Sequence, residues 1–434
     1  GFFFQFFVLK TFMLTKIKNK IREYPAARYL IKRAQQTISS SWKAESYVGK
    51  VRECLDNIDL NWQPKKHAKP QSALIEITNA CNINCLMCNT KFQSRPEGLM
   101  SAQVFERVIT ELMANGVDRA GLHTVGETFL YKDIATLIEI AKKHDFKVWL
   151  STNAQYPQRM ETLYRKFPKM ITDIRVSTDG ATKETFETIR VGGSFDKLIE
   201  SLDIIHRINK GRKHYRIGLT IDSILNMNNI FEIRSYFDVF DKYVSSHDIT
   251  FGLVTTLNSL NDGKKNDNYL YDSFPFNHLI RSTVPCSQPF TNSYFTYDGK
   301  MTLCCRDYNG EITAGDIMSS SLDELWDGEQ AEKIRQQHTK PENLEIDACL
   351  NCFGPYEFIS STTNNFVHYL YLKVPELSPK EFGDVIYSFL EGMNKCMETQ
   401  DINALKKFVM KAFDHVREKN VSFSSKHLEA QSLA

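Results

Sequence analysis

The feature that most constrains this chain is a regular alternation of short apolar strands with helical stretches. The predicted strands cover residues 72–78, 120–126, 147–153, 173–180, 215–223 and 248–256. Consecutive strand–helix units predict an α/β fold with a parallel sheet and helices on one or both faces. Both an open doubly wound sheet and a complete or partial barrel fit this pattern. In either architecture, ligands bind at the carboxyl ends of the strands.

Composition and linker signals divide the chain into further segments. Apolar residues make up 42% and charged residues 24% of the 434 residues, which is typical of a globular protein and excludes disordered, collagen-like and polytopic membrane chains. The predicted segments are a basic helical extension with a linker (1–69), the strand–helix core (70–256), a polar linker (257–275), a cysteine-rich region (276–358) and a helical tail (359–434).

The amino-terminal extension carries a strong positive charge. Residues 1–69 contain 14 Lys/Arg against 5 Asp/Glu. Peripheral membrane contact is one interpretation of this basic, amphipathic pattern, and a solvated helix packed on the core is the favoured one. The apolar run at the start of the chain is interrupted at Gln5 and Lys10 and is too short to span a bilayer.

Ten cysteines are too few for a disulfide scaffold in a chain of this length. Most of them are grouped, and grouped thiols in a chain without a recognisable secretory signal are typical of metal ligands. We therefore predict a reducing, cytoplasmic compartment.

The first cysteine group directly follows the first predicted strand. Cys81, Cys85 and Cys88 have the spacing C-x3-C-x2-C. Structural zinc is bound by four ligands, and no fourth Cys or His lies nearby in the sequence. A [4Fe–4S] cluster bound through three thiolates keeps one iron open to another ligand. We favour the cluster, with a structural zinc loop as the alternative.

With this motif after the first strand, residues 70–256 resemble the radical S-adenosylmethionine (radical SAM) superfamily. The resemblance implies a partial (β/α)6 TIM-like barrel. In that family, the open iron is chelated by the amino and carboxylate groups of SAM. One electron from the cluster then cleaves SAM to a 5′-deoxyadenosyl radical, which abstracts a hydrogen atom from the substrate.

The later strand ends resemble further motifs of the same family. The implied SAM-binding residues are Gly126, Glu127, Thr128, Asn153, Ser177 and Arg190. Gly126 and Glu127 correspond to the second and third residues of a G-G-E motif that holds the SAM amino group, and Thr128 directly follows it. Ser177 and Arg190 correspond to residues that reach the SAM carboxylate or ribose. The chain departs from the family pattern where Val125 replaces the first glycine, Thr128 a proline and Ala154 the glycine of T-N-G.

A second cysteine set lies in the predicted cysteine-rich region. Cys286, Gly299 and Cys304 fit the spacing C-x(9–15)-G-x4-C, and a C-x2-C pair follows at residues 349–352. This pattern resembles the SPASM domain of radical SAM enzymes. The resemblance implies one auxiliary [4Fe–4S] cluster ligated by Cys286, Cys304, Cys349 and Cys352. Cys305 is the alternative to Cys304, and a four-cysteine zinc ribbon is the alternative to the cluster.

The resemblance implies a radical SAM oxidoreductase whose auxiliary cluster transfers electrons. Residues 13–60 read as helical, without the β-hairpin of a leader-peptide-binding module, so we predict a small molecule or a sugar or glycan precursor as substrate. A peptide or protein maturase is the alternative. The implied electron donor is a flavodoxin or a ferredoxin, and no nucleic acid is expected because the basic segment is short.

No catalytic acid or base is assigned from the sequence. His123 and Asp222 lie in predicted strands and are candidates for that role, but both are interpreted as polar residues of the barrel wall. A second class of function stays open, namely a non-enzymatic protein that is stapled by metal or associated with a membrane.

Overall fold

The fold is built around one nine-stranded sheet. A computed structural model describes residues 43–56, 65–88, 90, 93–212, 216–253, 286–339, 344–346, 349, 357–398 and 401–418. The strands are β1 (Ser72–Ile75), β2 (Asn84–Cys85), β3 (Arg119–Gly121), β4 (Lys147–Thr152), β5 (Ile171–Ser177), β6 (Arg190–Val191), β7 (Gly218–Leu225), β8 (Ile249–Leu253), β9 (Asn292–Phe295), β10 (Lys300–Thr302) and β11 (Thr313–Asp316).

The six predicted core strands are all present and lie side by side. Their order within the sheet is β1-β3-β4-β5-β7-β8, and each neighbouring pair is parallel. Strand β8 lies at one edge and does not pair with β1 within the described residues. The α/β prediction and the partial rather than closed barrel are therefore confirmed.

Alternation along the strands gives the sheet two different faces. In β4, Val148 and Leu150 are fully buried, whereas Trp149 and Ser151 are only partly buried and line a cavity. Successive side chains of a strand point to opposite faces. One face therefore supplies the hydrophobic core, and the other supplies the wall of a site.

Helices alternate with these strands as predicted. They are α1 (Ala102–Ala114), α2 (Ile134–Lys143), α3 (Pro157–Lys166), α4 (Lys183–Ile189), α5 (Phe195–Lys210) and α6 (Ile233–Phe240). Helix α1 begins after Ser101, whose hydroxyl accepts a hydrogen bond from the Val104 amide. It ends before Gly116, which has a φ of +80°, a conformation that glycine adopts without a steric penalty.

The cysteine-rich region extends the same sheet, which the sequence does not predict. Strand β9 pairs in parallel with β1, and β10 and β11 follow in antiparallel order. Helices α7 (Leu322–Asp327) and α8 (Glu329–Thr339) follow β11. A capping box between Ser321 and Glu324 fixes the start of α7. The region is thus joined to the barrel by backbone hydrogen bonds.

The helical tail forms α9 (Glu357–Lys373), α10 (Pro379–Glu398) and α11 (Ile402–Arg417). Side chains of α9 satisfy backbone groups at the edge of β8. Asn364 and Ser360 accept hydrogen bonds from two β8 amides at 2.9 Å, and the His368 ring nitrogen Nε2 donates to the Ile249 carbonyl at 2.9 Å. The helix thereby covers an edge that would otherwise expose unpaired strand groups.

His368 makes this contact sensitive to acid. Burial lowers the pKa of His368 from about 6.5 to about 4, so the unfolded chain binds a proton at pH values where the folded chain does not. Stability is therefore lost as the pH falls below about 6.5, by about 2–3 kcal/mol at pH 4.5. Between pH 7 and pH 4.5, we expect the free energy of unfolding to fall by about this amount less in His368→Gln than in the wild type. Urea unfolding of both proteins at the two pH values measures the difference. Equal pH dependence of the two proteins would contradict the prediction.

Several sequence predictions fall outside the described residues. They include the amphipathic stretch at 13–36 and the linker at 257–275. Residues 43–56 are helical, as predicted for the extension. Among the described helices, none has both the length and the apolar character needed to cross a membrane.

Candidate active site

A cavity of about 590 Å³ lies at the carboxyl ends of the core strands. This is the position that a parallel sheet predicts for a ligand site. The structure brings together around it most of the residues singled out in the sequence: Cys81, Cys85, Cys88, Gly126, Glu127, Asn153, Ser177 and Arg190. Thr128 is the one SAM-binding candidate that does not line the cavity.

The cysteine loop is fastened to the segment that carries Arg190. Strands β2 and β6 form a small antiparallel sheet in which Cys85 lies opposite Arg190. The Leu86 amide also donates to the Ile189 carbonyl at 2.9 Å. This pairing joins residues that are 105 positions apart, and the sequence pattern did not reveal it.

Polar groups surround the three sulfur atoms. The Arg190 guanidinium donates to Cys85 Sγ at 3.8 Å, and the Asn153 amide donates to Cys81 Sγ at 3.9 Å. Cys88 Sγ and the Thr90 hydroxyl are 2.6 Å apart. Hydrogen bonds to ligand sulfurs are one of the features that set the reduction potential of an iron–sulfur cluster.

The buried thiols are poor acids without a metal. Burial raises the pKa of Cys81 to about 11 and that of Cys85 to about 12, and the nearby Arg190 opposes the rise at Cys85. Because metals bind thiolates, loading this site must release protons. The positive charge of Arg190 compensates part of the negative charge that remains.

The three thiols fit the ligand chemistry of an iron–sulfur cluster. Among the described residues, no three His, Cys, Asp or Glu side chains converge closely enough to hold one metal ion. In a [4Fe–4S] cluster each thiolate binds a different iron, so the ligand sulfurs do not have to converge on a single ion. Three cysteines on one loop match that requirement, and the open cavity beside them leaves room for a ligand on the fourth iron.

Glu127 is held rigidly at the cavity wall. It is 2% exposed, and its Oε1 accepts hydrogen bonds from the Phe129 amide and the Thr152 hydroxyl, while Oε2 accepts one from the Asn153 amide. Burial raises the pKa of Glu127, and these three donors oppose the rise. Oε2 has accepted a single hydrogen bond and retains the capacity for another, so it is available to an ammonium group.

Gly126 allows the backbone to reach this position. Its φ is +80°, and a Cβ there would lie 2.6 Å from the Thr78 carbonyl oxygen and 2.7 Å from that of Ala80. The Glu127 amide donates to the same Ala80 carbonyl at 2.8 Å. The turn therefore packs directly against the backbone that leads into the cysteine loop.

Gly126→Ala is expected to cost more stability than Gly116→Ala. Both glycines have a φ of +80°, but a Cβ at Gly116 would meet nothing within 4 Å. Gly116→Ala therefore measures the conformational penalty alone, about 1–2 kcal/mol. Gly126→Ala adds a backbone clash of about 1–3 kcal/mol and is expected to lower iron incorporation. Urea unfolding and iron analysis of both variants check this, and equal losses would contradict it.

Arg190 forms a buried ion pair with Asp179. Its Nη2 lies 2.5 Å from Asp179 Oδ2, and the two side chains are 9% and 1% exposed. Asp179 adopts a φ of +53°, and its Oδ1 accepts a hydrogen bond from the Ile224 amide at 2.6 Å. Burial raises the pKa of Asp179, and Arg190 opposes that rise. Arg190 was assigned to the site from the sequence. Asp179, which positions the Arg190 guanidinium, was not.

Thr128 and Ser177 occupy different places. The Thr128 hydroxyl donates to the Leu122 and Ser151 carbonyls at 2.9 and 2.8 Å, and its side chain is buried. It therefore supports the turn from behind the cavity wall. Ser177, at the carboxyl end of β5, lines the cavity.

The cysteine-rich region completes the cavity wall. Cys305, Arg306 and Tyr308 line the same cavity as the first cysteine motif. From the sequence, this region was predicted to be a separate segment. The parallel pairing of β9 with β1 brings it to the site.

A buried arginine joins the two regions beside the cavity. Arg95 donates two hydrogen bonds to the Glu76 carboxylate, both at 2.8 Å, and a third to the Tyr308 carbonyl at 2.8 Å. Glu76 also accepts from the Tyr297 amide at 3.2 Å. The bidentate geometry fixes the relative position of β1 and of the segment that carries Cys305 and Tyr308.

The second cysteine set is described in part. Cys286, Cys304 and Cys349 are partly buried, and Cys352 lies outside the described residues. Gly299 occupies the turn between β9 and β10 with a φ of +89°, which explains the need for glycine at that point of the spacing. The four-cysteine ligand set stays a prediction.

Comparisons with known proteins match both regions. The radical SAM superfamily model matches residues 75–228, and the iron–sulfur cluster-binding SPASM model matches residues 286–353. Mycofactocin maturase MftC of Mycobacterium tuberculosis is 26% identical over 175 residues, covering 40% of this chain and 43% of that protein. The S-adenosyl-L-methionine-dependent tRNA 4-demethylwyosine synthase of Oryza sativa is 32% identical over 114 residues, covering 25% and 16%.

Among solved structures, anSMEcpe with bound AdoMet aligns with a TM-score of 0.49 at 17% identity, covering 80% of this chain and 98% of that one. The match to each of the two curated relatives named above covers less than half of that relative's length. The two family models together cover about half of the chain, and they imply a SAM-binding [4Fe–4S] cluster and an auxiliary cluster site. The chain belongs to the radical SAM superfamily and carries a SPASM iron–sulfur cluster-binding domain.

Proposed function

We propose that this protein is a radical SAM enzyme that cleaves SAM reductively and abstracts a hydrogen atom from an organic substrate. The observation that carries the proposal is one cavity lined by three cysteines, by the Gly126–Glu127 turn and by Arg190. A cluster held by Cys81, Cys85 and Cys88 would supply the one electron that reductive cleavage of the SAM sulfonium requires. A structural zinc loop would need neither the cavity nor the polar groups around it.

The residues of the chain bind and orient the reactants. Cys81, Cys85 and Cys88 are the proposed ligands of the first cluster, and Arg190 and Asn153 stabilise their thiolates through N–H donors. Glu127 Oε2 would accept a hydrogen bond from the SAM ammonium, and Ser177 would contact the SAM carboxylate or ribose. Asp179 holds Arg190 in place. Thr128 acts indirectly, since its hydroxyl supports the turn.

The SPASM region is proposed to hold one auxiliary [4Fe–4S] cluster through Cys286, Cys304, Cys349 and Cys352. Its contact with the cavity supports a role in electron transfer, because Cys305 and Arg306, which neighbour Cys304, line the cavity. A cluster held by these four residues would supply a one-electron acceptor or donor on the side of the cavity formed by the SPASM region. A flavodoxin or ferredoxin is the proposed donor to the first cluster.

The substrate class is supported by the relatives rather than by the cavity. The relative with the longer match is a maturase, and the other acts in tRNA modification. We therefore propose a maturase of a peptide or protein ahead of the small-molecule or glycan-precursor substrate that the sequence favoured. The latter stays a prediction, since its basis, a helical segment without a hairpin, lies mostly outside the described residues.

Iron and sulfide analysis with a SAM cleavage assay tests the proposal. After anaerobic reconstitution we expect about eight irons per chain and formation of 5′-deoxyadenosine on adding SAM and dithionite. About four irons with nucleoside formed would remove the auxiliary cluster from the proposal. Bound zinc without nucleoside would overturn the enzyme reading altogether.

A further inference from the structure

We infer that the floor of the cavity is a carboxylate-binding subsite formed by Arg175, and that the substrate is an organic acid anchored there. The inference rests on the proposed function, because it assigns a substrate group to the same cavity. Arg175 lies on β5 two residues before Ser177 and therefore on the same face of the strand. Both line the cavity, with Arg175 further from the carboxyl end of the strand.

Arg175 is unusually placed for a charged residue. Its strand pairs on both sides with other core strands, yet its side chain is 56% exposed because it projects into the open cavity. Within the described residues, the guanidinium donates no hydrogen bond, and its nearest carboxylate oxygen, Asp222 Oδ2, is 4.0 Å away. A guanidinium carries five N–H donors, so this one presents its donors to whatever occupies the cavity.

The guanidinium lies against an aromatic ring. Its carbon atom lies 5.3 Å from the centre of the Trp149 indole, within the range of a cation–π contact. Gly121 leaves the space for this indole, since a Cβ there would lie 2.3 Å from the ring. A guanidinium in contact with an aromatic ring has fewer conformations to lose when it binds a planar anion, and its planar donors suit bidentate recognition of a carboxylate.

The Asp222 carboxylate beside the Arg175 guanidinium favours a singly charged anion over a dianion at this point of the cavity. Asp222 is engaged by the Thr250 hydroxyl and lies beside Arg175, so a dianion would meet a second negative group. His123, 6.5 Å from the Trp149 ring, adds no positive charge at neutral pH because burial lowers its pKa to about 4.

Small aromatic probes test the subsite by anaerobic calorimetry. The reconstituted protein is saturated with SAM, so that the SAM carboxylate occupies its own site, and no reductant is added. The probes are benzoate, its neutral analogue benzamide, phenylphosphonate, and hippurate, which presents a carboxylate after a peptide bond. We expect the wild type to bind benzoate at least about tenfold more tightly than benzamide.

Arg175→Gln is expected to weaken benzoate binding about tenfold or more and to leave benzamide binding unchanged. Arg119→Gln is the matched control, because Arg119 pairs with Asp173 and does not line the cavity. Asp222→Asn is expected to change binding in the opposite direction, tightening benzoate and admitting phenylphosphonate. This second variant keeps the test valid if Arg175→Gln does not fold, which the iron–sulfur absorbance reports.

Three results would overturn the inference: benzoate binding that is unchanged in Arg175→Gln, benzoate binding that depends on Arg306 instead, or wild-type protein that prefers phenylphosphonate. Tighter binding of hippurate than of benzoate would place the carboxylate at a peptide terminus, and equal binding would place it on a small acid. If benzoate binding does not depend on Arg175 but 5′-deoxyadenosine is still formed, the inference is refuted and the proposed function is not. Absence of the nucleoside from the wild type refutes that function, whatever the probes do.

Discussion

Cys85→Ala is expected to reduce 5′-deoxyadenosine formation to background and to remove about four irons per chain. Cys85 is the most buried of the three loop cysteines whose thiols line the cavity, and Arg190 donates to its sulfur. With only two thiolates left on the loop, the first cluster loses one of its three protein anchors. The auxiliary cluster has separate ligands, so the remaining iron is expected to stay. Iron analysis and chromatography of the nucleoside measure both effects.

Cys396→Ala is the matched control for this loss. Cys396 lies on α10 in the carboxyl-terminal helices and does not line the cavity. The same atomic deletion there is expected to change neither iron content nor nucleoside yield. Wild-type levels of nucleoside from Cys85→Ala would contradict the assignment of the loop as the cluster site. Similar losses in both variants would show that the effect comes from destabilisation.

Breaking the Arg190–Asp179 pair is expected to destabilise the protein by about 3–5 kcal/mol, because the remaining partner keeps an uncompensated charge in the interior. Arg190→Met removes the cation and Asp179→Asn the anion. Asparagine is chosen because it tolerates the positive φ of this position. The double variant is expected to lose clearly less than the sum of the two single losses, since it leaves no buried charge unpaired.

Stability and activity separate the two roles of this pair. Urea unfolding gives the coupling energy, and additive losses in the double variant would contradict a direct interaction. SAM cleavage is expected to stay low in all three variants, because none of them keeps both Arg190, which contacts Cys85, and the carboxylate that holds it. Lys380→Met and Asp384→Asn are the control pair. They remove an ion pair on α10 whose two side chains are 81% and 51% exposed, and such exposed pairs contribute about 1 kcal/mol or less.

The sequence by itself determined the elements and the chemistry of the loop. Apolar runs bounded by turns predicted all six core strands. A strand that is buried between layers needs several apolar residues in a row, and such a run is visible in the sequence alone. The spacing of Cys81, Cys85 and Cys88 likewise predicted a three-thiolate site from local sequence. A short loop keeps its ligands together whatever the rest of the chain does.

Strand ends were predicted less well than strand positions. The second predicted strand ran to residue 126, but β3 ends at Gly121. The segment after it turns through Gly126 and is fixed by contacts with Ala80 and with the Asn153 amide. Those contacts come from other strands, so the local pattern could not reveal where pairing ends.

Only the tertiary structure decided which polar residues share the site. It placed Thr128 behind the wall although its motif suggested the cavity, and it brought Asp179, Arg175 and the segment around Cys305 into the cavity. It also joined the cysteine-rich region to the barrel through β9 and covered β8 with α9. These arrangements depend on pairing between distant segments. The free energy of such contacts arises only when the segments meet, and no periodicity in either segment records its partner.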